Sequence, residues 1–354
     1  MKIMNLKLLL LGLISYLSIV SLPVFPQNLR QPITSPQFKM AGARILSLGG
    51  NSPTFLNDVS ATQINPAALG EIEFVQSSFM TQSLLGEFDY LVLNTAFPIG
   101  PFVYGFSYGQ SFLTGIPETV NLNNTISSVD TFSAGYRLVT LSMSRADYFT
   151  NFYFDKFSYG LSLKAIQQVI KNNTRSSYGL DMGLTASFFY PESDIIDRVH
   201  LGGSVLNLLG TELPAWSVET RSGTISSEAS QIRRQYFLGL SADMFDDSWT
   251  VSFSLDGANG LDQYSIGAEY DLSQDMSLRG SAVADLKTPF KYQYNIGTGL
   301  LFRGVIGLGY DTYNLRLDYN YAMHLAPFND EPTHTIGFSI LGESKDPTPK
   351  VIRH

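Results

Sequence analysis

Four histidines, a cluster of aspartates and one Gly-x-Ser-x-Gly run are the residues of this chain whose types and spacing could do chemistry. Gly105-Phe106-Ser107-Tyr108-Gly109 matches a nucleophile elbow. That motif needs a strand, a sharp turn and then a helix, so that the serine stands clear of the sheet. Here the run lies inside an alternating stretch with no helical period after it, and small residues on one strand face account for Ser107. His200, His324, His334 and His354 share no helical metal spacing, and the chain has no cysteine to complete a thiolate site. His324 and His334 flank one loop and are expected as a hydrated rim pair. Asp243, Asp246 and Asp247 fall where aspartate favours a tight turn for backbone reasons. No full oxygen shell for calcium accompanies them, and no phosphate-cradling loop appears. The residues therefore predict a non-enzymatic chain, with no catalytic residue, no metal and no cofactor.

What remains is charge set on the faces of strands. Trp249, Val251, Phe253 and Leu255 alternate with Thr250, Ser252, Ser254 and Asp256; Leu315, Leu317, Tyr319 and Tyr321 alternate with Asn314, Arg316, Asp318 and Asn320. Period-two alternation puts one face in an apolar medium and the other in a polar one. The polar faces carry Lys164, Asp181, Asp256, Glu269, Arg279, Arg316 and Asp318. Such charges are costly in hydrocarbon, so they are expected to face an aqueous lumen or one another. They either hold an inner segment and set lumen selectivity, or form a paired network that only stiffens the wall.

Fourteen candidate strands follow one another, the first two alternating poorly, near 71–82, 88–97, 101–110, 132–145, 157–170, 176–189, 197–208, 233–244, 248–257, 263–271, 276–285, 293–310, 314–323 and 334–341. Two connections are long, 111–131 and 209–232, and both follow odd-numbered strands. Several even-to-odd links are tight, although Ala146 to Lys156, on the same rim, breaks the rule with eleven residues. Long loops on one rim and short turns on the other are the asymmetry of an outer-membrane barrel. The alternative is a soluble β-sandwich, whose apolar faces meet each other. Against it stand the number of strands, the Tyr and Phe on the apolar faces, and the Gly, Ser and Thr on the polar ones. The expected fold is all-β: a 14-stranded antiparallel transmembrane β-barrel, which leaves no backbone edge unpaired in lipid.

The chain has 354 residues, a net charge of −8, and 24 phenylalanines and 19 tyrosines. Lys2 and Lys7 followed by the apolar run Leu8 to Val20 read as a signal peptide over residues 1–27, too short to span a membrane as a helix. An acidic exported chain is a poor nucleic-acid binder. The stretch from Met40 to Gly70 precedes the strands and does not resemble them. It is rich in small residues, pairs Gly49 with Gly50, and ends in Asn65-Pro66-Ala67. A short helical turn is expected over Asn57 to Leu69, capped by Asn57 or Asp58 and broken or restarted at Pro66. Residues 28–70 are read as a plug or hatch under the strands, 71–341 as the barrel, and 342–354 as a polar periplasmic tail. Arg44 in the plug is expected to pair with one of the lumen acids.

With these elements in place, Gly42-Ala43-Arg44, Leu48-Gly49-Gly50, Asn57-Asp58 and Asn65-Pro66-Ala67 resemble the N-terminal signature of the PorV/PorQ family, within the wider FadL-like outer-membrane barrels. Gly115-Ile116-Pro117-Glu118, the run Tyr159 to Lys164, Gly179-Leu180-Asp181-Met182-Gly183 and Asn207-Leu208-Leu209-Gly210 extend the resemblance. It implies a plugged barrel of the Gram-negative-type outer membrane, with a role in type IX-like secretion or surface protein handling. Secreted cargo or secretion components would then be the partners, besides outer-membrane lipid. The alternative is a FadL-like channel for hydrophobic small molecules such as long-chain fatty acids, carried inward through a hatch and a lateral opening. The long loops are the expected partner surface, with the cluster Leu213, Pro214, Ala215 and Trp216 either docking a partner or folding back over the mouth.

Overall fold

The computed structural model describes residues 41–344, apart from 51, 56, 85–87, 123–124, 150–153, 172, 221–222, 259–260, 288–291, 309–310 and 326–332. The expected signal peptide, the first part of the plug and the end of the tail lie outside these residues. The first seven strands are β1 (Gln76–Leu84), β2 (Phe88–Ile99), β3 (Phe102–Leu122), β4 (Thr125–Tyr148), β5 (Phe154–Ile170), β6 (Asn173–Phe189) and β7 (Ile196–Leu206). Four short strands follow: β8 (Thr211–Leu213), β9 (Trp216–Thr220), β10 (Gly223–Ser227) and β11 (Ser230–Ile232). The last seven are β12 (Gln235–Met244), β13 (Trp249–Ala258), β14 (Gln263–Ser273), β15 (Met276–Asp285), β16 (Tyr292–Leu308), β17 (Asp311–Leu325) and β18 (Thr333–Ser344).

The first and last sets form one closed antiparallel barrel of fourteen strands. Neighbours in the chain are neighbours in the wall, except that β7 pairs with β12, and β18 returns to β1 from Gln76↔Leu341 to Ser83↔His334. Alternation sets the faces as expected. Trp249, Val251 and Phe253 point outward, while Ser252, Ser254 and Asp256 are buried on the inside. Both apolar and polar faces of the wall are thus satisfied, and the barrel leaves none of its own strand edges open.

Three details differ from the sequence reading. The stretch 111–131 is not a loop: β3 and β4 continue as one tall hairpin, paired up to Leu122↔Thr125. The stretch 209–232 holds two small sheets, β8 with β11 and β9 with β10. The last strand runs on to Ser344, into the stretch read as the tail.

Residues 41–75 fill the lumen. Helix α1 (Ala43–Ser47) is followed by two 3-10 turns, Val59–Gln63 and Pro66–Glu71. Gly49 and Gly50 close α1 with φ of +98° and +70°, and their N–H groups donate to Leu46 and Ile45. Left-handed backbone of this kind is cheap only for glycine. Asp58, not Asn57, caps the first turn by accepting from the Ser60 N–H, and Asn65 caps the second by accepting from Ala67. Pro66 stands at the start of that second turn, where its missing donor is not needed. Asn57 instead takes φ of +54° and accepts from the Gln76 amide at 2.9 Å.

Candidate functional site

Helix α1 packs on β15 to β18, the first 3-10 turn on β1 and β2, and the second on β3 to β6. The inner segment therefore meets the wall around most of its circumference. Wall glycines make room for it. A β-carbon at Gly160 would lie 2.5 Å from the Pro66 carbonyl carbon, one at Gly202 2.7 Å from the Pro53 oxygen, and one at Gly267 2.6 Å from the Leu48 oxygen. At Gly183 it would run into the Asn65 carboxamide oxygen. Asn65 also donates to Pro53 O at 2.7 Å and to Leu184 O of the wall at 3.3 Å.

The charges form a closed ring. Arg44 Nη2 meets Glu269 Oε2 at 2.7 Å, and Arg279 Nε donates to Glu269 Oε1 at 2.9 Å. Arg279 Nη1 reaches Asp318 Oδ1 at 2.7 Å, and Arg316 Nε reaches Asp318 Oδ2 at 2.9 Å. Arg316 Nη2 meets Asp58 Oδ2 at 2.8 Å, and Arg44 Nη1 completes the circuit to the same oxygen at 3.5 Å. Three cations alternate with three carboxylates, two members from the inner segment and four from β14, β15 and β17. Burial raises the Asp58 carboxyl, but Arg316 and Arg44, with the Ser60 bonds, outweigh it and hold the group well below the usual carboxylate range. Burial likewise opposes the Arg44 charge, and Glu269 and Asp58 restore it, so that the guanidinium is held above its ordinary value. Each carboxylate of the ring thus bridges two guanidinium groups, and the ring ties Arg44 and Asp58 of the inner segment to β14, β15 and β17.

Lys164 and Asp181 pair separately at 2.8 Å across β5 and β6, and Asp181 Oδ1 accepts from the Asn207 N–H at 2.8 Å. Asp256 faces inward from β13 and is buried. The sequence thus named all six ring residues, and the geometry brings them together. His334 bonds to the Tyr319 hydroxyl at 2.8 Å, and the register sets His324 opposite Gln293. Ser107 lies within extended β3, opposite Asn94 and Thr140.

For the loop cluster, the burial of Leu213 fits the second of the two expected readings, the one that folds back over the mouth. Leu213 is buried against Tyr136, Ile166 and Ile232, so it is part of a cover folded over the mouth and not of an exposed surface. Its neighbour Pro214 is exposed, and the Pro214 carbonyl accepts from Arg175 Nη1 at 2.9 Å. Trp216 opens β9, opposite Ser227.

An apolar track was missed. From Leu213 and Ile232 it passes through Tyr136 and Ile166 to Leu138, then to Met80 and Val92, and on to Leu46 of α1. Leu46 in turn packs on the apolar core of the inner segment, which includes Ile45, Phe55 and Ile64. The sequence signal was available: Tyr136 and Leu138 sit on the polar face of β4 in line with Thr140 and Ser142, and Ile166 sits between Lys164 and Gln168 on β5. Apolar residues that interrupt a polar face mark a dry strip in a wet lumen.

No family model matches the chain, and no curated protein matches it. Solved structures do. The toluene transporter TbuX of Ralstonia pickettii superposes with a TM-score of 0.57 at 13% identity, covering 87% of this chain and 100% of that one. The monoaromatic hydrocarbon channel CymD gives 0.55 at 13% identity, over 87% and 98%. The toluene transporter TodX of Pseudomonas putida gives 0.51 at 13% identity, over 88% and 99%. At this identity the likeness is one of fold: this chain is a closed transmembrane barrel of the same architecture.

Proposed function

We propose that this chain is an outer-membrane channel for apolar small molecules, with residues 41–70 as its plug and the charged ring as the clamp that holds the plug. The apolar track carries the proposal. A lumen built only to be stiff or to pass polar solutes gains nothing from a continuous strip of Leu, Ile, Val, Met and Tyr side chains from mouth to plug. Ligand sites are typically apolar with a few placed polar groups. The three similar solved structures are described as a hydrocarbon channel and toluene transporters, which supports this reading over the secretion-linked one.

Replacing Leu138 tests it, because Leu138 joins the two halves of the track. In proteoliposomes or in cells, Leu138→Gln is expected to lower uptake of radiolabelled toluene or of a long-chain fatty acid at least about tenfold, a barrier change of about 1.4 kcal/mol. The barrel should remain intact by its heat-dependent gel shift. Uptake equal to the unaltered protein would sink the channel assignment. The secretion-linked reading rests on the resemblance of residues 42–67 and on the tall β3–β4 hairpin. It predicts stoichiometric exported proteins after native purification, where the channel reading predicts apolar small molecules.

A further inference from the structure

Four side chains form a hydrogen-bonded chain on β6, β7, β12 and β13, strands that carry no member of the charged ring. Ser187 Oγ lies 2.8 Å from His200 Nδ1, directly across the β6–β7 register. His200 Nε2 lies 2.9 Å from Asp243 Oδ2, and Thr250 Oγ1 donates to Asp243 Oδ1 at 2.8 Å. An ionised Asp243 fixes the proton on Nε2, which donates to Oδ2. Nδ1 is then left with its lone pair toward the Ser187 hydroxyl. That is the arrangement of nucleophile, general base and orienting acid, recognised by geometry and role, here with the two ring nitrogens exchanged.

A second observation points to a ligand. Thr185 lies two residues from Ser187 on the same face, and Ser158 is its partner across β5–β6. Both hydroxyls are buried and have no hydrogen-bond partner among the described residues. Buried hydroxyls are normally bonded, and these two stand as spare donors on the inward face that carries Ser187. Pro53 and Thr54 of the inner segment lie over Gly202, the next inward residue along β7 from His200, and shield this part of the wall.

We propose that Ser187, His200 and Asp243 form a serine-nucleophile centre that cleaves an uncharged carboxylic ester. Ser187 Oγ bonds to the ester carbonyl carbon while its proton passes to His200 Nδ1. The oxyanion takes hydrogen bonds from Thr185 and Ser158. The C–O bond to the alcohol breaks, and His200 returns the proton to the departing oxygen. A water then gives its proton to His200 and its oxygen to the acyl carbon; the bond from that carbon to Ser187 Oγ breaks, His200 returns the proton to Oγ, and the acid leaves. Burial selects an uncharged substrate, because a charged group would lose its hydration here. Asp243 and Thr250 are positioning residues.

The full chain in detergent is treated with a small fluorophosphonate, and the modified peptide is read by mass spectrometry. Hydrolysis of 4-nitrophenyl butyrate is followed in parallel. Ser187 is expected to be labelled, and Ser187→Ala and His200→Gln should each lower hydrolysis roughly a hundredfold or more. Asp243→Asn should slow labelling and move its pH dependence, because the ring loses the acceptor that sets its tautomer. The heat-dependent gel shift identifies variants that have folded, and His200→Gln stands in where Ser187→Ala does not fold. An intact barrel whose Ser187 stays unlabelled, or is labelled equally fast in His200→Gln, would overturn the proposal.

Discussion

Arg279 shows what the ring does at the scale of a residue. Its guanidinium is almost wholly buried, yet each of its three nitrogens donates, to Glu269, Asp318 and the Ser277 hydroxyl. A buried ion pair is weak evidence for stability, since desolvation offsets attraction, but removing one partner leaves a costly bare charge, on the order of 3–5 kcal/mol. Arg44→Ala breaks the circuit at the plug. Glu269 keeps Arg279 and Asp58 keeps Arg316, but the remaining set carries a net negative charge and the plug loses a hold on β14. Conductance in planar bilayers is expected to rise, and an unchanged trace would remove the clamp from the account. The pH response follows from Asp58. Its carboxyl is depressed below its unfolded value, so its stabilisation is present above about pH 4 and is lost as pH falls through the folded value. Conductance should therefore stay flat from pH 7 to about 4 and climb only in stronger acid. A rise near pH 6 would show that another group governs the plug.

At the scale of elements, the plug is positioned by what the wall lacks. Gly183→Ala drives a methyl group into the Asn65 oxygen, which caps the second 3-10 turn, whereas Gly280→Ala meets nothing closer than the Asn295 oxygen at 3.8 Å. Overpacking of this kind costs about 1–3 kcal/mol. Proteolysis of the folded barrel should thus cut the inner segment faster in Gly183→Ala and at an unchanged rate in Gly280→Ala; equal rates would deny the seat. None of this could be read from the chain alone. A glycine on a polar strand face looks the same whether it lines water or receives a turn. The first cap was legible as one of two neighbours, Asn57 or Asp58, because a cap acts within its own turn, while the cap at Asn65 was not read; the strands were legible because one face of each meets lipid. The tall part of the β3–β4 hairpin was not. Beyond the bilayer both faces of a ribbon meet water, the period-two signal disappears, and Thr119 to Ser128 reads as a polar loop. The ring lay between: its members were visible as charges on polar faces, and their pairing needed the curvature of the wall.

At the scale of the molecule, the outward surface must match its solvent. Leu163 and Ile296, 64% and 65% exposed, are large apolar side chains on outward faces, which would be a liability in water and is required in lipid. On β6 the apolar series Phe188, Ala186, Leu184, Met182 and Leu180 ends at Tyr178, and Ser176 and Thr174 continue beyond it, so an aromatic side chain marks where the apolar medium stops. The cost of a charge on the outer face therefore depends on its depth. Leu184→Arg sets a guanidinium at the centre of the apolar series of β6 and should destabilise the barrel by about 2–4 kcal/mol in phospholipid vesicles, by the scale for charges near the bilayer midplane. Thr174→Arg, outward and past Tyr178, should cost close to nothing. Reversible urea unfolding in vesicles measures both. Micelles adapt their thickness to the protein, so the contrast should shrink in detergent. Equal costs at the two positions would mean that the band does not face lipid, and the alternation would then have to be explained by a second protein layer packed around the wall.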